Sequence, residues 1–140
     1  MFGPEGGVLD GPAGTPAEGV QLVIPAGALR EPVTLGLSVV DADVDEPPGV
    51  DWVGRGVWFW PTWVRFDIPA LAIVPYDEDS AAAAAGARPG QPVEVALYAT
   101  DGFSWERLAP VGKQGRSPVV QARTQRLGLV FPGVAAAPNR

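Results

Sequence analysis

With no histidine and no cysteine among its 140 residues, the chain leaves proton transfer and metal ligation mainly to its sixteen carboxylates. Ser-His and Cys-His nucleophile pairs and most zinc sites are excluded outright. A glycosidase-like reaction needs two carboxyl groups on the rigid walls of a cleft, one with a raised pKa. Asp67, Glu94 and Glu106 are the acids inside or beside predicted strands, and their spacing suggests no pair, so they read as solvated strand-face or turn residues. Asp41-Ala42-Asp43-Val44-Asp45-Glu46 and Asp77-Glu78-Asp79 offer oxygen ligands to calcium. The first begins like an EF-hand loop, but Glu46 stands where glycine must turn the chain, and Trp52 where the bidentate glutamate belongs. Both stretches read as hydrated acidic loops, with Asp41, Asp43, Asp45, Asp77 and Asp79 as calcium candidates. No catalytic residue and no cofactor is expected.

The elements that must carry these residues are short strands. Gly and Pro number 18 and 16 and stand between apolar runs, where turns belong. They also make long helices improbable. Period-two alternation recurs at Val20 to Ile24, Val33 to Val39, Val57 to Trp60, Val64 to Phe66, Ala70 to Val74, Val93 to Ala99, Val119 to Arg123 and Leu127 to Phe131, with a short piece at Trp105 to Leu108. Eight or nine strands at this spacing predict an all-β fold, an antiparallel two-sheet sandwich. One helical turn is expected, Ser80 to Ala87, with Ser80 as its N-cap. A single domain over 6–131 follows, with 1–5 and 132–140 as tails. The net charge of −6 disfavours a nucleic-acid or anionic-membrane partner. The ten Lys and Arg are scattered, Arg116, Arg123 and Arg126 coming nearest to a cluster. No membrane insertion is expected. The N-terminus has neither the charged nor the apolar region of a secretory signal.

Gly6-Gly7-Val8-Leu9, then Gly19-Val20-Gln21-Leu22-Val23-Ile24-Pro25-Ala26-Gly27-Ala28-Leu29 and Pro32-Val33-Thr34-Leu35, resemble the opening of the ZU-five domain of zonula occludens and netrin-receptor proteins. Phe59-Trp60-Pro61 with Phe66-Asp67-Ile68-Pro69 looks like that family's Phe-Gly-Pro and Phe-Asp-x-Pro segment, and Trp105-Glu106-Arg107-Leu108 is similar to its Trp-x-x-Leu element. The resemblance runs over residues 6–131. It implies an antiparallel sandwich used for scaffolding and protein–protein contact, in secreted or surface-associated proteins. Some members of the family cut themselves at His-Phe-Ser near the last strand. Here Arg126-Leu127-Gly128 stands in its place, with neither base nor hydroxyl, which implies no self-cleavage.

The five tryptophans are the remaining signal. Alternation puts Trp58 and Trp60 on one face of their strand, and Val57 with Phe59 on the other. The resemblance implies that Trp58 and Trp60 face the inter-sheet core with Val64, Phe66, Ala70, Ala72 and Val74. Phe59, Trp63, Leu71 and Ile73 are then left outside. Either that parity is displaced by one residue, or a loop covers this face, or the sheet is apolar on both sides because something packs on it. Leaving four such side chains wet forgoes roughly 1.5–3 kcal/mol each, and contiguous apolar patches mark interaction sites. The expected function is therefore a non-catalytic module for protein contact. Its partner would be a neighbouring domain, an identical subunit, as in a self-associating shell or decoration protein, or another protein. Sugar stacking on the tryptophans would need polar groups beside them, and their sequence neighbours are apolar.

Overall fold

The computed structural model of the chain describes residues 2–40, 49–86, 94–100, 104–110 and 119–135. The strands are β1 (Gly7–Asp10), β2 (Gln21–Ile24), β3 (Gly36–Val40), β4 (Val50–Trp52), β5 (Gly56–Trp60), β6 (Arg65–Pro75), β7 (Ala96–Thr100), β8 (Trp105–Arg107), β9 (Ala109–Pro110), β10 (Val119–Arg126) and β11 (Leu129–Ala135), with one helix, α1 (Glu78–Ala85), between β6 and β7. Every pairing among them is antiparallel. A five-stranded sheet has the order β1-β2-β6-β10-β9, and a six-stranded sheet the order β3-β5-β11-β7-β8, with β4 also paired to β11. The chain is an all-β sandwich, as the alternation predicts.

Each strand keeps one apolar parity for the space between the sheets. From the five-stranded sheet come Leu22, Ile24, Ala70, Ala72, Val74, Val120 and Ala122; from the other come Val57, Phe59, Leu97, Val130 and Val134. The middle of the first sheet offers small groups, since Ala72 lies directly opposite Ala122. The larger Phe59 and Leu97 of the second sheet belong to the same buried cluster. Close packing joins these large and small side chains in one core. The single buried polar side chain among the described residues is Thr124. Its hydroxyl donates to the Arg126 carbonyl at 2.7 Å and accepts from the Arg126 amide at 3.3 Å, satisfying itself where the β6–β10 register shifts.

Four expectations need correction. The separate strands at Val64 to Phe66 and Ala70 to Val74 are one strand, β6, which runs through Pro69. The helix starts earlier than Ser80. Asp77, extended at φ −90° and ψ 115°, is the N-cap, and its carboxylate accepts from the amides of Asp79 at 3.0 Å and Ser80 at 3.4 Å. A carboxylate satisfies those orphan donors and complements the helix dipole better than the Ser80 hydroxyl, which itself donates to Asp77 at 3.0 Å. The helix closes at Gly86, whose left-handed φ of 66° favours glycine. Strand pairing also passes both ends of 6–131. Phe2 bridges to Val33, and β11 continues to Ala135 because Gly133 to Ala135 pair with β4, a strand the alternation had not revealed.

The fourth correction concerns the tryptophan strand. In β5 it is Val57 and Phe59 that are buried, at 1% and 2% exposure, while Trp58 and Trp60 point outward. A phenyl ring buries no polar atom, whereas an indole in the same place would bring an N–H that needs a buried partner. The parity of β6 is as expected, with Ala70, Ala72 and Val74 inside and Leu71 and Ile73 outside.

Candidate functional site: an aromatic sheet face

The outward turn of Trp58 and Trp60 places them on the solvent side of the six-stranded sheet, where register gathers the other large rings. Trp58 lies opposite Ser38 on β3 and Leu129 on β11; Leu129 lies opposite Thr100, which in turn faces Trp105. Along the next row Phe131 faces Tyr98, and Tyr98 faces Arg107. Trp52 faces Gly133. Directly opposed residues share a face, so four of the five tryptophans, Tyr98 and Phe131 stand on one surface.

The rings do not lie independently. Trp52 stacks on Phe131 with centroids 4.7 Å apart and planes 15° from parallel. Trp105 meets Trp52 edge-on at 4.9 Å and Phe131 at 6.0 Å, and Tyr98 tilts against Trp52 at 6.0 Å. Offset stacking and edge-to-face contacts are the arrangements aromatic quadrupoles favour. Glycines make room for them. A side chain at Gly56 would strike the far edge of the Phe131 ring, and one at Gly36 would strike the indole of its cross-strand partner Trp60. Phe131 and Trp60 thus each lie over bare backbone, and a strand glycine marks such close approach.

The cluster splits into a closed half and an open half. Tyr98 and Phe131 are buried and Trp52 and Trp105 half-buried, while Trp58 and Trp60 keep 40% and 38% of their surface in water. Polar groups are interspersed over the face: Ser38 lies opposite Trp58, Thr100, opposite Trp105, donates to the Ser104 carbonyl at 2.7 Å, and Arg107, opposite Tyr98, pairs with Glu94 at 3.2 Å. The sequence neighbours of the tryptophans are apolar, but their spatial neighbours are mixed.

The residues singled out in the sequence scatter. Phe59 is core. Leu71 and Ile73 are half-buried on the outer face of the other sheet, interleaved with polar groups: Leu71 lies opposite Val23 and Arg123, and Ile73 opposite Gln21 and Gln121. Trp63, 71% exposed, sits on the turn between β5 and β6. The four therefore form no common surface. Asp41, Asp43 and Asp45 lie outside the described residues. Asp77 caps α1, and Asp79 gives its backbone amide to that cap. Among the described residues no three His, Cys, Asp or Glu side chains are grouped to hold a metal. The three strand acids are each beside a different arginine: Asp67 at 2.8 Å from Arg30, Glu94 at 3.2 Å from Arg107, and Glu106 at 3.8 Å from Arg126. No helix among the described residues is long and apolar enough to cross a membrane.

No family model matches the chain, and no curated protein matches it. Sequence spacing does not reveal the aromatic face, because its members come from five strands, β4, β5, β7, β8 and β11. The signal that could have found it is the glycine inside apolar runs, Gly36, Gly56 and Gly133, each on a strand beside one that carries a ring.

Proposed function

We propose that this domain is a non-catalytic contact module that binds another protein through the open half of its aromatic face, centred on Trp58 and Trp60. One observation carries the reading. The six-stranded sheet already buries its inner face in the sandwich, yet two neighbouring indoles stand on its outer face, each more than a third exposed. The fold does not need them there. Large aromatics ringed by polar groups are the usual energetic centre of protein interfaces, where loss of one tryptophan can cost about 2 kcal/mol or more of binding. The ZU-five-like order of motifs supports the same reading, and with it a place in a surface-associated protein. The absence of His and Cys from the sequence, together with the separate arginine partner of each strand acid, supports a role without catalysis.

The test uses a photo-reactive amino acid at Ser38, an exposed position directly opposite Trp58, in cells producing the chain. A second probe at exposed Thr15 serves as control. Protein adducts specific to position 38, lost when Trp58→Ser and Trp60→Ser are combined in a folded variant, are the expected result. Adducts between two copies of the purified chain would identify the partner as an identical subunit. Adducts that persist in the double variant, or occur equally at position 15, remove this face from the proposal.

A further inference from the structure

A second feature stands apart from the aromatic face. Beyond the end of β5, the turn carrying Trp63 forms one wall of a groove of about 360 Å³, lined also by Leu29, Pro32, Val33 and Val64. Into the same groove come four charged side chains, Arg30, Glu31, Arg65 and Asp67. Arg30 and Asp67 are joined at 2.8 Å, yet their side chains remain 85% and 45% exposed, so both keep polar atoms for a ligand. Glu31 and Arg65 are exposed as well.

Three properties of this groove select a chemistry. The lining charges sum to zero, two guanidinium groups against two carboxylates, so neither a strong anion nor a strong cation is favoured. Donors and acceptors are both present and close together, which suits groups that give and take hydrogen bonds at once. The one large ring is the most exposed large hydrophobic side chain of the described residues, so it leaves aromatic surface open to a ligand with an apolar side. A neutral ring with an apolar face and a rim of hydroxyls meets all three demands. Ligand pockets span roughly 300–1,000 Å³, and this groove, at the small end, has space for one or two such rings. We infer that the groove is a saccharide site, in which a hexopyranose stacks on Trp63 while adjacent hydroxyls bridge the Arg30–Asp67 pair and Glu31 or Arg65.

This site is independent of the protein-contact reading, because it shares no residue with the Trp58–Trp60 surface. The five indole N–H resonances, assigned by single substitution, report it directly in a two-dimensional NMR titration of the full chain. The probes are the methyl pyranosides of glucose, galactose and mannose, N-acetylglucosamine and methyl xyloside, with glycerol as a polyol lacking a ring. At least one pyranoside should move the Trp63 indole signal saturably with a dissociation constant of about millimolar order, leaving Trp58 and Trp60 unmoved. Asp67→Asn should weaken that saturation tenfold or more with the remaining spectrum preserved, and Trp63→Ala, which removes that signal, should abolish the saturable shift of the Arg30 and Arg65 side-chain N–H resonances that the same pyranoside causes in the parent chain. Since Trp63 is exposed, Trp63→Ala is expected to fold, and Asp67→Asn keeps the shape of the side chain if it does not. A Trp63 signal unmoved by every pyranoside, or moved equally by glycerol, overturns the site. Movement confined to Trp58 and Trp60 overturns it too and turns the aromatic face into the sugar surface.

Discussion

Replacing Gly56 with alanine tests whether the outer aromatic cluster is a genuine second core. In a strand interior alanine is otherwise preferred to glycine by about 0.5–1 kcal/mol, because glycine loses more backbone entropy on folding. At Gly56, however, a methyl group would overlap the Cζ and Cε atoms of Phe131. That ring is 4% exposed and stacked 4.7 Å from Trp52, so it has little room to retreat. Moving it sacrifices part of the roughly 1.5–3 kcal/mol of its burial and about 0.5–1.5 kcal/mol of ring–ring contact. Set against the entropic gain, the net loss is about 1–3 kcal/mol, the usual range for overpacking. Thermal unfolding followed by near-ultraviolet circular dichroism reads both effects at once. The midpoint should fall by about 3–5 °C per kcal/mol for a chain of this size, and the aromatic signal should change. Phe131→Leu alone should also destabilise, but combined with Gly56→Ala it should recover part of the loss, giving a favourable coupling in a double-mutant cycle. A Gly56→Ala variant as stable as the parent, or additive with Phe131→Leu, refutes the seating of ring on glycine.

Three further outcomes follow from the same geometry. Phe59→Ala should cost about 3–5 kcal/mol by denaturant unfolding and Trp58→Ala roughly half of that or less; equal losses would mean that the β5 parity is wrong. The Asp77 carboxyl is held below the ordinary aspartate pKa by the Ser80 hydroxyl and by the Ser80 and Asp79 amides. Its capping contribution is therefore complete above that ordinary pKa and disappears as pH falls through the lowered one. The Asp79 and Ser80 amide resonances should shift with that titration, Asp77→Ala should abolish the shift and lower the midpoint, and an unchanged titration would sink the cap. Burial, then the nearby Glu78 charge, pushes the Tyr76 phenol above its usual pKa. The stabilisation from its neutral form is complete at pH below the ordinary tyrosine pKa and is lost as pH rises through the raised value. Spectrophotometric titration should show this Tyr76 ionisation moving downward in Glu78→Gln, though not fully to the ordinary value; no movement would leave burial as the sole cause.

Much of the architecture was legible because side-chain alternation has a period of two and turns are marked by Gly and Pro. Leu22 and Ile24, or Ala70, Ala72 and Val74, announce a buried face without any knowledge of their partners. Alternation says which residues share a face, but not which face is inside. Where both faces are apolar, as in Val57-Trp58-Phe59-Trp60, the pattern is silent, and the packing of the two sheets together decides. The helix start was misplaced for a related reason: Asp77 and Ser80 are both competent caps, and the local backbone at Asp77 decides between them. The aromatic face and the Trp63 groove were illegible because their members meet through register and turns, not through spacing. Trp52 reaches its neighbours by β4 pairing with β11, and Trp63 reaches Arg30 by way of Asp67 on β6.

The two halves of the aromatic face differ in what their loss would reveal, and that difference separates folding from function. Trp52, Tyr98, Trp105 and Phe131 contact one another and shelter one another, so an account based on stability alone explains them fully. Trp60 lies over Gly36 with one side, and Trp58 stands between Ser38 and Leu129, but neither takes part in the ring contacts of that group. If Trp58 and Trp60 served only to cover backbone, smaller apolar side chains would do so while leaving less surface in water. Two indoles held at strand spacing with exposed edges make sense when a second surface completes their burial. Substituting the sheltered group should therefore melt the domain without changing what it binds, and substituting Trp58 with Trp60 should do the reverse. Identical consequences for both groups would leave the sheet with one extended core and no contact surface on this side.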